Sequence, residues 1–240
     1  MRGMSTQLWW VNPDVFVVSP AMLALLSEAE HAQHQRFIPT KKRHEYLVTR
    51  VLVRTVLGRA LGVPPQTLQF TANDWGRPAL WPTVPLHFNV SHTDGLVVCM
   101  VSPNPEMGVD TEQLARAPDL LALAPTVFAP QEQSDLAALP ANEQARRAVV
   151  LWTWKESYIK ARGMGMALPL DGFAFRFDAD RVCLEVSPAL DDDGSRWQFH
   201  TRLLGEHCIS IAQAVPQGEP QTDSLPESLP GGLAVTQFCS

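Results

Sequence analysis

The stretch GVDTEQL, Gly108–Leu114, places two acids at strand spacing just after the apolar residue Val109. Successive side chains of a β-strand point to opposite faces, so Asp110 and Glu112 are expected to share a face. Carboxylates held that close repel each other unless a cation lies between them or they share a proton. The stretch therefore predicts a strand with paired carboxylates, and the segments around it decide the fold class.

Upstream of this strand, the periodicity of apolar residues changes from helical to strand-like. Residues 40–61 predict a helix, which Gly62 and two following prolines terminate. Apolar alternation and turn residues then predict strands up to the GVDTE stretch. Before the helix, LWWV and VFVV predict a strand, a turn and a second strand within residues 6–18, with a helix or two from Ser19 to Phe37.

Downstream, the order of elements repeats. A helix is predicted from Ala129, and Asn142 is the expected cap of a long helix that Gly163 ends. Alternating residues then predict further antiparallel strands up to residue 214. The fold class is therefore α+β, a pseudodimer of two similar α/β lobes, each with helices packed on a mainly antiparallel sheet of about three strands or more. The expected organisation is an N-terminal lobe at 1–105, a C-terminal lobe at 106–215, and a disordered Pro-rich tail at 216–240.

Composition excludes several function classes. With 45% hydrophobic and 18% charged residues, the chain is typical of a soluble globular protein. A net charge of −6 argues against a general nucleic-acid binder, and no apolar run reaches the roughly 18 residues that a membrane helix needs. The four scattered cysteines and the lack of a signal-peptide-like block predict a protein of the reducing cytoplasm, and we expect it to be a monomer.

Basic residues are concentrated between residues 36 and 59, where only Glu45 opposes them. A locally positive surface on an acidic protein suggests a specific anionic ligand. Arg43, Arg50 and Arg54 are spaced to line one face of the predicted helix. The alternative is that this face is merely solvated.

The segment LWTWKESYIKARGMG, Leu151–Gly165, supplies a third carboxylate. Glu156 falls in an apolar stripe of the predicted helix, and a buried carboxylate needs a cationic partner. One interpretation is an ion pair with Lys160, one turn away. The other, favoured when Asp110 and Glu112 are considered together with Glu156, is that the three acids bind a hard ion such as Mg²⁺.

His92 follows Asn89 and Ser91 at the end of a predicted strand. A single histidine in such a place is more often a hydrogen-bonded structural residue than a catalyst. Its neighbours nevertheless form a group of hydrogen-bond donors near the strand that carries Asp110. A contact with a phosphate is therefore the second hypothesis for His92.

Together these motifs resemble a known family. FNVSH (Phe88–His92), GVDTE (Gly108–Glu112) and WTWKESYIK (Trp152–Lys160) occur in order, preceded by GRP (Gly76–Pro78). Over residues 36–177 the chain resembles a 4′-phosphopantetheinyl transferase of the surfactin-synthetase-activating type. The resemblance implies two lobes with the active site between them. It also implies Mg²⁺-dependent transfer of 4′-phosphopantetheine from coenzyme A to a serine of an acyl or peptidyl carrier protein, often in secondary metabolite biosynthesis, with 3′,5′-ADP released.

The resemblance also implies roles for individual residues. Asp110, Glu112 and Glu156 would be metal ligands, and Glu156 or a metal-bound water would take the serine proton. Lys160 would be catalytic and would stabilise charge on the leaving phosphate. The residues at positions that resemble coenzyme A contacts are Arg43, Arg50, Arg77, Pro78, Asn89, Ser91, His92 and Lys160.

The sequence departs from this pattern before and within the helix at 40–61. Where some relatives carry lysines that hold the 3′-phosphate, this chain reads SEAEHAQHQ, so Arg43, Arg50 and His92 would have a larger share in holding it. Glu45 and Tyr46 replace an arginine and a threonine of some relatives. Two other functions fit the same acids: a Mg²⁺-dependent phosphodiesterase that uses water, and a non-catalytic module that binds carrier proteins.

Overall fold

The structure, a computed structural model, describes residues 5–178 and 181–215, without the side chains of Met166, Asp178 and Arg181. The described chain divides into two compact units. The first comprises residues 5–72 and 78–103, and the second comprises residues 73–77, 104–178 and 181–215. The predicted tail at 216–240 lies outside the described residues.

The first unit combines three helices with antiparallel strands. Its elements are β1 (Gln7–Val11), α1 (Pro20–Leu23), α2 (Glu28–Arg36), α3 (Thr40–Leu61), β2 (Gln69–Ala72), β3 (Pro78–Trp81), β4 (His87–Thr93) and β5 (Leu96–Ser102). A three-stranded sheet has the order β1-β5-β4, and β2 and β3 form a separate hairpin. The long helix α3 packs on the three-stranded sheet, with Val48, Val51 and Leu52 fully enclosed.

The second unit repeats this order of elements. Its elements are β6 (Met107–Gln113), α4 (Ala117–Val127), α5 (Pro130–Ala137), α6 (Ala141–Arg162), β7 (Phe173–Asp178), β8 (Arg181–Val186), β9 (Trp197–Leu204) and β10 (His207–Ala214). The sheet order β6-β10-β9 matches β1-β5-β4, since in each unit the first strand pairs with the last. The predicted α+β fold with two similar lobes is confirmed.

The long helices of the two units correspond in length and in how they end. Each spans 22 residues. Gly62 follows α3 with a φ of 67°, and Gly163 follows α6 with a φ of 65°. Both glycines adopt the left-handed conformation in which a side chain is strained, so both predicted stop signals are confirmed.

A buried ion pair also occurs at the same place in each unit. Arg54, fourteen residues after the start of α3, donates from Nε to Glu30 at 2.7 Å. Lys155, fourteen residues after the start of α6, lies 2.9 Å from Glu132. Each glutamate is the third residue of a shorter helix and also accepts from the backbone N–H that precedes that helix. These hydrogen bonds offset part of the free-energy cost of burying a charged group.

Two local predictions were wrong, and one alternative is excluded. The segment VFVV forms no strand, because the carbonyls of Pro13 and Phe16 bond to the imidazole of His44 instead of to a neighbouring strand. Helix α6 begins at Ala141 after Pro140, with no side-chain cap from Asn142. Arg50 and Arg54 both contact Glu30, so they share a face of α3 as predicted, and the alternative of a merely solvated face is wrong for Arg54, which is 1% exposed.

No helix in the described ranges has both the length and the apolar character required to cross a membrane.

Candidate active site

Strand β6 carries Asp110 and Glu112 on the face that α6 covers. Gly108 lies on the same face, and a Cβ atom there would be 2.1 Å from the carbonyl oxygen of Ser157 and 2.6 Å from the amide nitrogen of Ala161. The backbone of α6 therefore packs directly on β6 at Gly108. This close approach brings the last turns of the helix to the two acids of the strand.

Helix α6 places Glu156 and Lys160 beside Asp110. The ammonium of Lys160 lies 2.6 Å from a carboxylate oxygen of Asp110, whose side chain is 7% exposed. Among the described residues, the carboxylate of Glu156 has no hydrogen bond or ion pair, and Lys160 pairs with Asp110 instead. Burial and the charge of Asp110 raise the pKa of Glu156, and Lys160 only partly opposes them. The local group of two acids and one base therefore has an excess negative charge.

Glu112 is bound to different groups. One carboxylate oxygen accepts from the backbone of Gln113 at 2.9 Å, and the other lies 3.2 Å from Arg116, which also contacts Asp119. Within residues 5–178 and 181–215, no three Asp, Glu, His or Cys side chains are grouped closely enough to hold a metal ion. The side chains as placed thus bring Asp110 and Glu156 together but hold Glu112 towards Arg116.

The residue types at this place fit a divalent cation nonetheless. With Asp119 included, four carboxylates lie beside two cationic side chains, Lys160 and Arg116, so negative charge is in excess. The donor set consists of carboxylate oxygens, which suit Mg²⁺ better than softer metals. An incoming cation would compete with Arg116 for Glu112 and with Lys160 for Asp110.

A row of buried hydroxyls lies next to Asp110 beneath α6. Ser210 on β10 is paired with Asp110 across the sheet. Its hydroxyl lies 2.8 Å from that of Thr153 on α6 and 3.0 Å from that of Thr201 on β9. Sequence reasoning missed these hydroxyls and the close contact of Gly108 with α6. A polar Ser210 inside the apolar strand CISIA was the available signal, but its partners are distant in sequence.

The predicted phosphate-binding arginines of the first unit contact other groups of that unit. Arg43 donates to the carbonyl of Phe37 at 3.0 and 2.8 Å. Arg50 donates to Glu30 at 2.6 Å and lies over the ring of Phe70. Both guanidiniums therefore have protein partners in this structure.

The side chains of the predicted donor group lie on opposite faces of strand β4. Asn89 and Ser91 are buried on one face of the strand, whereas His92 lies on the other. His92 is half exposed, and its Nδ1 contacts the carboxylate of Glu45 on α3. The three residues are close in sequence but do not form one cluster of side chains.

Arg77 has a well-defined position in the second unit. It donates to the carbonyls of Ala161, Pro105 and Met107 at 2.7, 2.8 and 3.0 Å. Burial lowers the pKa of Arg77. Its guanidinium thus ties the end of α6 to the start of β6, the two elements that carry the acids. Pro78, the next residue, begins β3.

Comparisons with known proteins follow the division into two units. A family model described as the 4′-phosphopantetheinyl transferase superfamily matches residues 106–212, and one described as 4′-phosphopantetheinyl transferase, N-terminal, matches residues 13–104. A 4′-phosphopantetheinyl transferase of Bacillus subtilis is 35% identical over 167 residues, which are 69% of this chain and 73% of that protein. The chain belongs to the 4′-phosphopantetheinyl transferase superfamily.

A second sequence relative agrees with membership of this transferase superfamily. A 4′-phosphopantetheinyl transferase of Nostoc sp. is 35% identical over 192 residues, which are 79% of this chain and 78% of that protein. Among solved structures, a holo-(acyl-carrier-protein) synthase from Bacillus anthracis in complex with CoA (3′,5′-ADP) aligns with a TM-score of 0.38 at 17% identity. That alignment covers 45% of this chain and 94% of that chain. The predicted family and its enzymatic class are confirmed by the sequence relatives.

Proposed function

We propose that this phosphopantetheinyl transferase moves 4′-phosphopantetheine from coenzyme A to a serine of an acyl or peptidyl carrier protein. The observation that carries the proposal is the packing of α6 on β6 at Gly108, which gathers Asp110, Glu156 and Lys160. Phosphoryl transfer depends mainly on positioning and on charge neutralisation, and this group of residues supplies charged side chains of both signs.

The reaction balances as a single displacement. The serine hydroxyl oxygen bonds to the phosphorus next to pantetheine, and the bond from that phosphorus to the bridging oxygen of the pyrophosphate breaks. The products are the phosphopantetheinyl serine and 3′,5′-ADP. The serine proton passes to the carboxylate of Glu156, which has no hydrogen-bond partner among the described residues.

Asp110, Glu112 and Glu156 would hold Mg²⁺. The bound ion would neutralise charge on the pyrophosphate of coenzyme A. Lys160 would place its ammonium against the leaving phosphate, where negative charge develops. Its ion pair with Asp110 at 2.6 Å holds the ammonium at the acids, which supports this role.

The proposed coenzyme A contacts are Arg43, Arg50, Arg77, Pro78, Asn89, Ser91, His92 and Lys160. Among them His92, on α3's side of β4, has about half of its side chain exposed. We assign the 3′-phosphate to His92, because a protonated imidazole donates from both nitrogens and suits a phosphate oxygen.

We further propose that the enzyme is a cytoplasmic monomer that serves carrier proteins of secondary metabolite biosynthesis. The scattered cysteines and the acidic net charge motivate the compartment and the lack of a nucleic-acid partner. Gel filtration with light scattering measures the oligomeric state, and a dimer would contradict this part of the proposal.

Mass spectrometry of apo carrier proteins incubated with this protein, coenzyme A and Mg²⁺ tests the reaction. A phosphopantetheine adduct on the carrier serine is expected, with 3′,5′-ADP in equal amount. Rapid release of 3′,5′-ADP without a carrier would instead indicate a phosphodiesterase. Carrier binding with no covalent product would indicate a non-catalytic module.

A further inference from the structure

A carboxylate on α3 and an imidazole at the end of β4 are in direct contact in the first unit. The side chain of Glu45 is 5% exposed, whereas that of His92 is 49% exposed. The contact joins a carboxylate oxygen of Glu45 to Nδ1 of His92. A buried carboxylate thus holds the inner nitrogen of a ring whose other half is open to solvent.

The surroundings of Glu45 show that its carboxylate is well fixed. Its second oxygen lies 3.0 Å from the ammonium of Lys42, one turn earlier on α3. A separate ion pair, Lys41 with Asp94 at 3.2 Å, joins α3 to the turn that follows β4. Two contacts therefore connect the same helix to the same hairpin, but only the one through Glu45 involves the imidazole.

The chemistry of a histidine held in this way is specific. When Nδ1–H donates to a carboxylate, this hydrogen bond fixes the orientation of the ring. When the ring carries both protons, Nε2–H is a second donor, on the side of the ring away from Glu45. A donor of this kind matches a phosphate oxygen, and a charge-assisted hydrogen bond is stronger than a neutral one.

We propose that Glu45 is a positioning residue that orients His92 towards a phosphate of coenzyme A, so that the pair sets the preference for coenzyme A over its 3′-dephospho form. This inference rests on the proposed function. The inference assigns a role to Glu45, the acid within the basic region at residues 36–59. A carboxylate there without the imidazole would repel the phosphate of coenzyme A.

The test compares coenzyme A with 3′-dephospho-coenzyme A as donors, in E45Q, H92A and the double variant. D94N is the matched control, because it also converts an acid to an amide in a contact between α3 and the hairpin but leaves His92 alone. We expect E45Q to raise KM for coenzyme A about tenfold, more than it lowers kcat. KM for 3′-dephospho-coenzyme A should change by less than about twofold, and D94N should match the wild type with both donors.

The double variant separates positioning from a general effect on stability. If Glu45 acts through His92, E45Q should add nothing to the loss already caused by H92A. The ratio of KM for coenzyme A to KM for 3′-dephospho-coenzyme A is the deciding quantity. If this ratio is the same in E45Q as in the wild type, whatever the thermal stability of E45Q, the inference is overturned and Glu45 is a purely structural contact. A wild-type protein that transfers from neither donor would refute the proposed function itself.

Discussion

Lys160 is the residue on which the proposed chemistry depends most visibly. Its side chain is 26% exposed, while its partner Asp110 is almost enclosed, so the ammonium can reach both the carboxylate and a bound ligand. A lysine is a compact point charge, which suits stabilisation of a developing phosphate charge better than broad recognition of a substrate. The ion pair with Asp110 keeps that charge in place before the substrate binds.

Replacing Lys160 with alanine should therefore lower turnover more than binding. We expect K160A to reduce kcat about 100-fold, because the loss of one electrostatic contact to a transition state usually has an effect of this size. The affinity for coenzyme A should change by less than about threefold. Steady-state kinetics and calorimetric titration measure the two quantities. Equal losses in both would reduce Lys160 to a binding residue.

For the proposed site residues with local neighbours, the sequence was enough to predict which side chains share a face. Asp110 and Glu112 follow from strand alternation, and Glu156 and Lys160 follow from helical spacing, so their shared faces were predictable. The contact of Glu45 with His92 was not, because it joins residues 47 positions apart through tertiary packing. The split of Asn89 and Ser91 from His92 follows from alternation within β4, which the interpretation as one donor group overlooked.

The free energy of unfolding should depend on pH through the carboxyl group of Glu106. Its two carboxylate oxygens each lie 2.6 Å from Arg196, and these hydrogen bonds hold the pKa of Glu106 below its ordinary value of 4.5. A carboxyl whose pKa is lower in the folded state stabilises the fold above about pH 4.5, and that contribution is lost as the pH falls through the folded-state pKa.

We therefore expect E106Q to lower the free energy of unfolding by about 1 kcal/mol at pH 7 and by much less near pH 3. Denaturant titrations across this pH range measure the difference, with the exposed Glu206→Gln as control. A difference that stays constant with pH would show that the pair does not act through its charge.

At the scale of elements, the contact between β6 and α6 brings the proposed site residues together. Gly108 allows the helix backbone to lie against the strand, and Arg77 fastens the end of that helix to the start of the strand. The packing of one main chain on the other therefore sets the distance between the two acids of β6 and Glu156 of α6. Small shifts of α6 would move Glu156 and Lys160 away from Asp110.

A methyl group at Gly108 should test this dependence. Because a Cβ atom there would lie 2.1 Å from a backbone oxygen, we expect G108A to destabilise the protein by about 3 kcal/mol and to abolish transfer even in the folded fraction. Thermal unfolding and transfer assays below the unfolding midpoint measure both effects. G205A is the control, since its φ of 56° is strained but no atom lies within 4 Å of the added carbon. Full activity of folded G108A would contradict the argument.

Most elements could be predicted from periodicity and from helix stop signals, and the exceptions have physical causes. Residues 40–61 form a helix with the predicted bounds, and the strands at residues 87–101 and 197–214 were also found. Helix α4 was missed because Pro125 lies inside it, and proline normally argues against a helix interior. Strand β3 begins at Pro78, which likewise concealed it.

At the scale of the whole molecule, the two units share one topology and one buried ion pair each. The sequence shows no repeat, but Arg54 with Glu30 and Lys155 with Glu132 occupy corresponding places. In each unit the cation also donates to two backbone carbonyls after its long helix. The pair therefore connects a short helix, a long helix and the hairpin segment, and this long-range role could not be predicted from sequence.

Removing one partner of such a pair should be costly. In E132Q, Lys155 would remain fully buried without its counter-charge, although burial already lowers the pKa of Lys155. We expect a loss of about 3 kcal/mol in the free energy of unfolding, measured by denaturant titration. The control E185Q removes an ion pair with Arg176 whose two side chains are about half exposed, and it should cost less than 1 kcal/mol. If both variants lower the free energy of unfolding by similarly small amounts, the buried pair does not stabilise the fold.

The transfer rate of E156Q tests the central claim most directly. This variant keeps the size of the side chain but removes the charge and the proton acceptor beside Asp110. E143Q, an exposed position in the first turn of the same helix, is its matched control. With an apo carrier protein, coenzyme A and excess Mg²⁺, we predict that E156Q loses at least about 1,000-fold in kcat while E143Q equals the wild type. Near-wild-type transfer by folded E156Q would contradict the claim that the acids of β6 and α6 form the reacting centre.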